Sequence, residues 1–224
     1  IESSRPNIPS LAHRFSGDFN GDGKTDLVVI DTINNNCISY MADQTGQLQF
    51  RFSQPMPSNY NTSKIFIGDF NGDGLEDLLM LRLVNTDYYP CFLLWNGSSF
   101  TQISYFTSYG NLNCHYYIGD FNGNGKTDLL IKVPLGYNCQ IIEFNVATGD
   151  GTSICQCNIT WGDQSYAIIK EVPFDMNGDG KTELMVLDNS GCRFYGLQDG
   201  CLVKVHHEIL PSLPPAFVYC HDPV

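Results

Sequence analysis

The sequence predicts an all-β fold: a β-propeller of four blades with about four antiparallel strands each, or an arc of a larger propeller. One stretch recurs four times, as GDFNGDGKTDLVVI from Gly17, GDFNGDGLEDLLML from Gly68, GDFNGNGKTDLLIK from Gly119 and FDMNGDGKTELMVL from Phe174. The first acids, Asp18, Asp69, Asp120 and Asp175, are 51, 51 and 55 residues apart, a period that marks an array of supersecondary units. Each copy runs into a β-branched and aliphatic segment, followed by further short apolar segments between turn residues.

After an irregular Pro- and Ser-containing lead-in over 1–10, the repeats span about 11–53, 64–106, 114–160 and 166–207. In the first, strands are expected over 11–16, 26–31, 37–42 and 47–53, with Gln44, Thr45 and Gly46 in the last turn. The second gives 64–67, 77–83, 91–95 and 99–106, with a hairpin-like turn at Asn96 and Gly97. The third gives 114–118, 128–133, 139–145 and 153–160, and the fourth 166–172, 183–187, 192–195 and 201–207. A tail over 208–224 is rich in proline, with Pro211, Pro214 and Pro215. Its apolar piece at 216–219 is expected to return beside the first blade and close the ring; in an arc of a larger propeller it would not. The whole chain reads as one domain without a linker, and no run approaches the length of a membrane span.

Within each copy, oxygen-bearing side chains fall on alternate positions, which lets a tight loop turn them onto one hard cation. The first loop offers Asp18, Asn20, Asp22 and Asp26, with Lys24 contributing its carbonyl; the second offers Asp69, Asn71, Asp73, Asp77 and Leu75 in the same roles. The third offers Asp120, Asn122, Asn124, Asp128 and Lys126, and the fourth Asp175, Asn177, Asp179, Glu183 and Lys181. The beginning resembles an EF-hand loop, but the twelfth position is Val29, Met80, Ile131 or Val186 where that motif needs a bidentate Glu, so each loop feeds a strand and not a helix. This oxygen set, without clustered His or Cys at zinc spacing, matches Ca2+, with up to four ions. The third loop has Asn124 in place of an acid and is expected to bind most weakly.

On these motifs the chain resembles FG-GAP or VCBS-type repeats, the calcium-loop units of integrin α-subunit propellers, some fungal lectins, and bacterial surface and toxin-complex proteins. The resemblance implies propeller blades with a calcium loop between the first and second strands of each. It does not imply one function, because a fold hosts many.

The net charge of −12 is concentrated in the motif, whose positions 1, 5 and 9 hold eleven of the 24 acids. Four bound Ca2+ would bring that charge to −4, so the metal-free loops should repel themselves. Twelve Lys and Arg without a basic stripe speak against a nucleic-acid partner. Cys37, Cys91, Cys139 and Cys192 fall 19, 22, 19 and 17 residues after the first loop acid, one structural position used in every repeat. That position holds either a small buried hydrophobe or part of a disulfide framework, with Cys155 and Cys157 alternating onto one strand face and Cys114, Cys201 and Cys220 as further partners. An odd count of nine leaves one thiol unpaired or intermolecular.

No catalytic motif is present: His13, His115, His206, His207 and His221 sit in no nucleophile or metal pattern, and there is no G-x-S-x-G elbow. Trp95, Trp161 and the tyrosines could form sugar platforms, although strands and inter-blade cores also recruit aromatics. Sequons beginning at Asn61, Asn96 and Asn158 are compatible with an extracellular or secreted setting. The expected function is a non-enzymatic, calcium-stabilised binding module that recognises a protein or a glycan through variable connections at 85–89, 109–113 and 147–152. The alternatives are a docking or encapsulating part of a larger secreted or toxin-like assembly, and a carbohydrate-active enzyme built on the same scaffold.

Overall fold

The computed structural model describes residues 12–31, 33–56, 64–133, 138–148, 150–158 and 168–208. Trp161, Asn61, Cys220, His221 and the expected closing segment at 216–219 lie outside the described residues, as do parts of the strands expected at 11–16, 153–160 and 166–172.

The described residues form four four-stranded antiparallel sheets and no helix. The first holds β1 (Ala12–Gly17), β2 (Asp26–Asp31), β3 (Asn36–Ala42) and β4 (Leu48–Pro55) in that order. The second holds β5 (Lys64–Gly68), β6 (Asp77–Val84), β7 (Asp87–Trp95) and β8 (Phe100–Ser104). The third holds β9 (His115–Gly119), β10 (Asp128–Lys132), β11 (Asn138–Asn145) and β12 (Asp150–Asn158). The fourth holds β13 (Ile168–Phe174), β14 (Glu183–Asp188), β15 (Gly191–Gln198) and β16 (Cys201–Glu208). These are propeller blades, each a meander of successive neighbours.

The second strand of each sheet explains the aliphatic run after each motif. In β6 Leu78, Leu79, Met80 and Leu81 are all fully buried, so both faces need apolar side chains and alternation disappears. In β4 the burial pattern instead varies between exposed and half-buried positions. The described residues fall into two compact units, one within 1–114, 125–128 and 143–152, the other within 115–124, 129–142 and 153–224. The core of the first joins Val28, Ile30 and Cys37 to Leu78, Met80, Leu93 and Trp95. That of the second joins Leu130, Cys139 and Ile141 to Leu184, Val186 and Tyr195.

The repeated cysteine is buried in three sheets, at Cys37, Cys91 and Cys139, and half-buried at Cys192. Burial pushes the Cys37 thiol up to about 12, as for a small hydrophobe. The eight described cysteines are all free thiols.

Two of the expected connections are shorter than the sequence suggests. Asp87 to Tyr89 belong to β7, whose register continues through Pro90 opposite Leu81, so only Asn85 and Thr86 turn the chain. Asn85 does so at φ 58°, left-handed backbone that asparagine tolerates. Likewise β12 starts at Asp150, inside the expected loop at 147–152. The segment at 109–113 is tied down: Asn111 bridges Asp87, and the Tyr109 hydroxyl contacts Gly151.

Within each unit, adjacent repeats meet at the glycine that opens the motif. A Cβ on Gly68 would lie 2.5 Å from Thr127 Oγ1, and one on Gly119 would lie 2.5 Å from Thr182 Cγ2. The same threonines donate their backbone N–H to the preceding loop, Thr127 to Asp69 O and Thr182 to Asp120 O, each at 2.7 Å. In the first unit Glu76 takes the threonine's place, and a Cβ on Gly17 would overlap its carboxylate. The fourth copy has Phe174 at the glycine position, 39% exposed.

Gly68→Ala should therefore cost about 1–3 kcal/mol through overpacking, seen as a lower urea midpoint. An unchanged midpoint would contradict the close approach. The β3–β4 turn gives a pH prediction. Asp43 accepts bonds from Thr45 Oγ1 (2.6 Å), Thr45 N–H (2.8 Å) and Gln47 N–H (3.0 Å), with the Thr45 hydroxyl the strongest influence, and its carboxyl falls to about 2. Because the folded value lies below the unfolded one of about 3.9, the stabilisation is complete above that pH and disappears as pH falls through the folded value. The Asp43 carboxyl resonance should show its midpoint near 2. A midpoint at the unfolded value would refute the turn assignment.

Candidate functional site

The four loops share one pattern, in which carboxylates and amides early in the motif capture backbone N–H groups further along. In the second loop Asp69 Oδ1 accepts from Gly72 N–H (2.6 Å) and Asp73 N–H (3.2 Å), and Oδ2 accepts from Gly74 N–H (2.7 Å). Asn71 Oδ1 accepts from Asp73 N–H at 2.7 Å, and Asp73 Oδ1 from Leu75 N–H at 2.9 Å. The turn demands left-handed backbone at Gly72 and Gly74, φ 80° and 83°, which explains the two glycines in every copy.

The other loops repeat this. Asp18 accepts from Asp22 and Gly23, Asn20 from Asp22, and Asp22 from Lys24. Asp120 accepts from Gly123 and Asn124, and Asn122 from Asn124. Asp175 accepts from Gly178 and Gly180, Asn177 from Asp179, and Asp179 from Lys181. These bonds tie positions 1, 3 and 5 of the motif to the backbone of each turn, while among the described residues no three loop carboxylates have oxygens within 4.8 Å of one another. Lys24 and Lys181 are held at position 7 by these N–H bonds, and Lys24 also pairs its ammonium with Asp22 at 2.8 Å.

The ninth-position acid is the deep member. Asp26, Asp77, Asp128 and Glu183 are all buried. Asp77 Oδ2 accepts from Phe70 N–H at 3.2 Å and Oδ1 from Trp95 N–H at 2.8 Å. Asp26 bonds Phe19 N–H at 3.1 Å and Ala42 N–H at 2.8 Å; Glu183 bonds Met176 N–H at 2.9 Å. Burial, reinforced by Asp73 and Asp69, raises the Asp77 carboxyl to about 7. Asp26 and Glu183 are raised too, by burial first and then by neighbouring loop acids.

One acid here stands outside the repeated pattern. Glu76 replaces the threonine of the other copies, its Oε2 is buried without a hydrogen-bond partner, and burial followed by Asp18 and Asp26 raises its pKa. An orphaned carboxylate oxygen that feels two more carboxylates is of the hard donor class that suits a divalent cation.

A second polar cluster was not legible in the sequence. The buried carboxylate of Glu171 on β13 is bonded by Lys132 on β10 and by the Tyr117 hydroxyl on β9, with His115 Nδ1 at 3.1 Å. Burial opposes ionisation, but these three partners hold the Glu171 carboxyl below its usual range. The only hint was Lys132 ending an otherwise aliphatic run. His206 and His207, adjacent on β16, lie opposite Phe194 and Arg193 and form no shared site.

A family model described as FG-GAP-like repeat matches residues 18–80. A solved structure of a Lactobacillus plantarum protein is similar at 15% identity and TM-score 0.53, over 90% of this chain and 57% of its own. The Photorhabdus luminescens Tc holotoxin pore is similar at 16% identity and TM-score 0.62, over 93% of this chain and 10% of its own. The chain therefore spans little more than half of one relative and a tenth of the other. A search of the curated proteins found no match. The family match places an FG-GAP-like repeat at residues 18–80, and the four motif copies with four four-stranded antiparallel sheets show β-propeller blades.

Proposed function

We propose that the chain is a non-enzymatic binding module whose loops each hold a Ca2+ ion and whose rigid blades present a recognition surface for a protein or a glycan in an extracellular setting. The observation that carries the calcium reading is the buried ninth-position carboxylate, raised to about 7 at Asp77 by burial and by the acids that share its loop. A divalent cation would supply the missing positive charge and take oxygen ligands from the loop carboxylates and amides. The ion's own contribution is electrostatic: it neutralises the loop and ties the first strand to the second. Asn124 leaves the third loop with the fewest acids, so that site is the weakest of the four. Calcium at about 100 times its dissociation constant adds about 2.7 kcal/mol per site.

Recognition is supported by a groove beside the first loop, lined by Asn20, Asp43, Gln49, Phe50 and Arg51. Phe50 is 63% exposed there, an aromatic face among hydrogen-bonding groups, as a sugar or a peptide side chain requires. The extracellular setting is supported by the sequon at Asn96, which lies on an exposed turn between β7 and β8. The sequon at Asn61 and the hydroxyl residue of the one at Asn158 fall outside the described residues. Similarity to part of a holotoxin favours the second reading, a docking or encapsulating piece of a larger assembly. The carbohydrate-active enzyme has no comparable support, and FG-GAP-like repeats are generally binding modules.

Panels of glycans and of secreted proteins, probed with the calcium-loaded chain, test the reading. Binding is expected on one panel, lost on chelation, weakened roughly tenfold or more by Phe50→Ala without a change in melting temperature, and accompanied by no cleavage. Asp69→Ala should lower calcium affinity and melting temperature together. Silence on both panels from a folded, calcium-loaded protein, or cleavage of a bound glycan, would overturn it.

A further inference from the structure

Among the described residues, one group of thiols stands apart from the repeated cysteine position. Cys155 and Cys157 alternate along β12, so both side chains leave the same face, and Cys139 projects from the neighbouring β11. Cys139 Sγ and Cys155 Sγ each lie 3.3 Å from Cys157 Sγ, and the three sulfurs are within 4.8 Å of one another. The grouping is specific to the third repeat. The equivalent cysteines face other side chains across their last strand: Cys37 opposes Gln54, Cys91 opposes Ser104, and Cys192 opposes Glu208. A role as core filler explains one thiol per repeat, not three in contact.

We propose that Cys139, Cys155 and Cys157 form a binding site for one thiophilic d10 cation, of the Zn2+ or Cu+ class. The sulfurs form a compact triangle, the arrangement of one face of a tetrahedral thiolate site, where metal–sulfur bonds of about 2.3 Å leave the sulfurs a little under 4 Å apart. The triangle also disfavours a relay of thiol–disulfide exchange, in which the attacking, central and leaving sulfurs line up: two sides of 3.3 Å and a third below 4.8 Å leave no near-linear arrangement at Cys157. Leu202 N–H lies 3.4 Å from Cys157 Sγ and donates to it, a backbone bond of the kind that orients and supports a thiolate ligand. Cys139 and Cys155 are buried while Cys157 is half-buried, so the site is dry on one side and reachable on the other. On binding, three S–H protons pass to solvent as three metal–sulfur bonds form, with no change of oxidation state. Soft sulfur here and hard oxygen in the loops select different ions, so the two kinds of site do not compete.

The test uses Cd2+ as a spectroscopic probe, added to the reduced full chain in calcium-saturated buffer. A thiolate-to-metal charge-transfer band should saturate at one equivalent, and three thiols should become unreactive to a disulfide reagent. Cys155→Ser and Cys157→Ser should each reduce the band to the level of protein without metal, while Cys201→Ser, at an exposed thiol, should retain it. Because Cys155 is buried, the half-buried Cys157→Ser variant decides the matter should the former fail to fold. No band, a band that survives Cys157→Ser, or a disulfide among these three in protein isolated without reductant would each overturn the site.

Discussion

In the first two blades a buried carboxylate bonds in two directions. Asp26 and Asp77 accept one N–H from the start of their own loop and another from the end of the third strand, 16 and 18 residues away. Hydrogen bonds to a charged acceptor are worth about 1.5–3 kcal/mol each. They decide where the loop ends and which register the next two strands adopt. The same burial works against the charge, which is why these carboxyls titrate high. The loop thus joins two effects, since the acid that organises the blade is also one whose charge burial and the neighbouring loop acids oppose.

The packing between repeats follows from the same few residues. A glycine opens the first three copies because the next repeat's threonine or glutamate occupies the space its side chain would fill. The fourth copy has Phe174 at that position instead. The buried aromatic after the first acid, Phe19, Phe70 or Phe121, anchors the loop from beneath in the first three copies. Loop chemistry, strand register and repeat spacing therefore come from one short motif, which leaves the remaining turns free to vary.

Most of the architecture was legible because the motif states it four times. The loop acids, the strand after each loop and the hairpin at Asn96 and Gly97 all have local causes: alternating oxygens, aliphatic runs and turn residues. The first half of β7 was missed because Pro90 argues against a strand, yet its carbonyl still accepts a bond from Tyr105 N–H, and its missing donor does not break the register. Glu76 was visible as a departure from threonine, but its orphaned oxygen depends on what Gly17 leaves open. The Glu171 cluster joins residues up to 56 positions apart and leaves no local signature. Cys155 and Cys157 could be placed on one face from their spacing, whereas the approach of Cys139 required the register of the sheet.

The most direct test of the account is calorimetric titration of the metal-free chain with Ca2+, paired with melting curves at the two end points. Several sites of unequal affinity are expected, none outside the four loops, with a large rise in melting temperature on saturation. No heat of binding together with superimposable melting curves would contradict it, leaving the loops as hydrogen-bonded turns that need no ion.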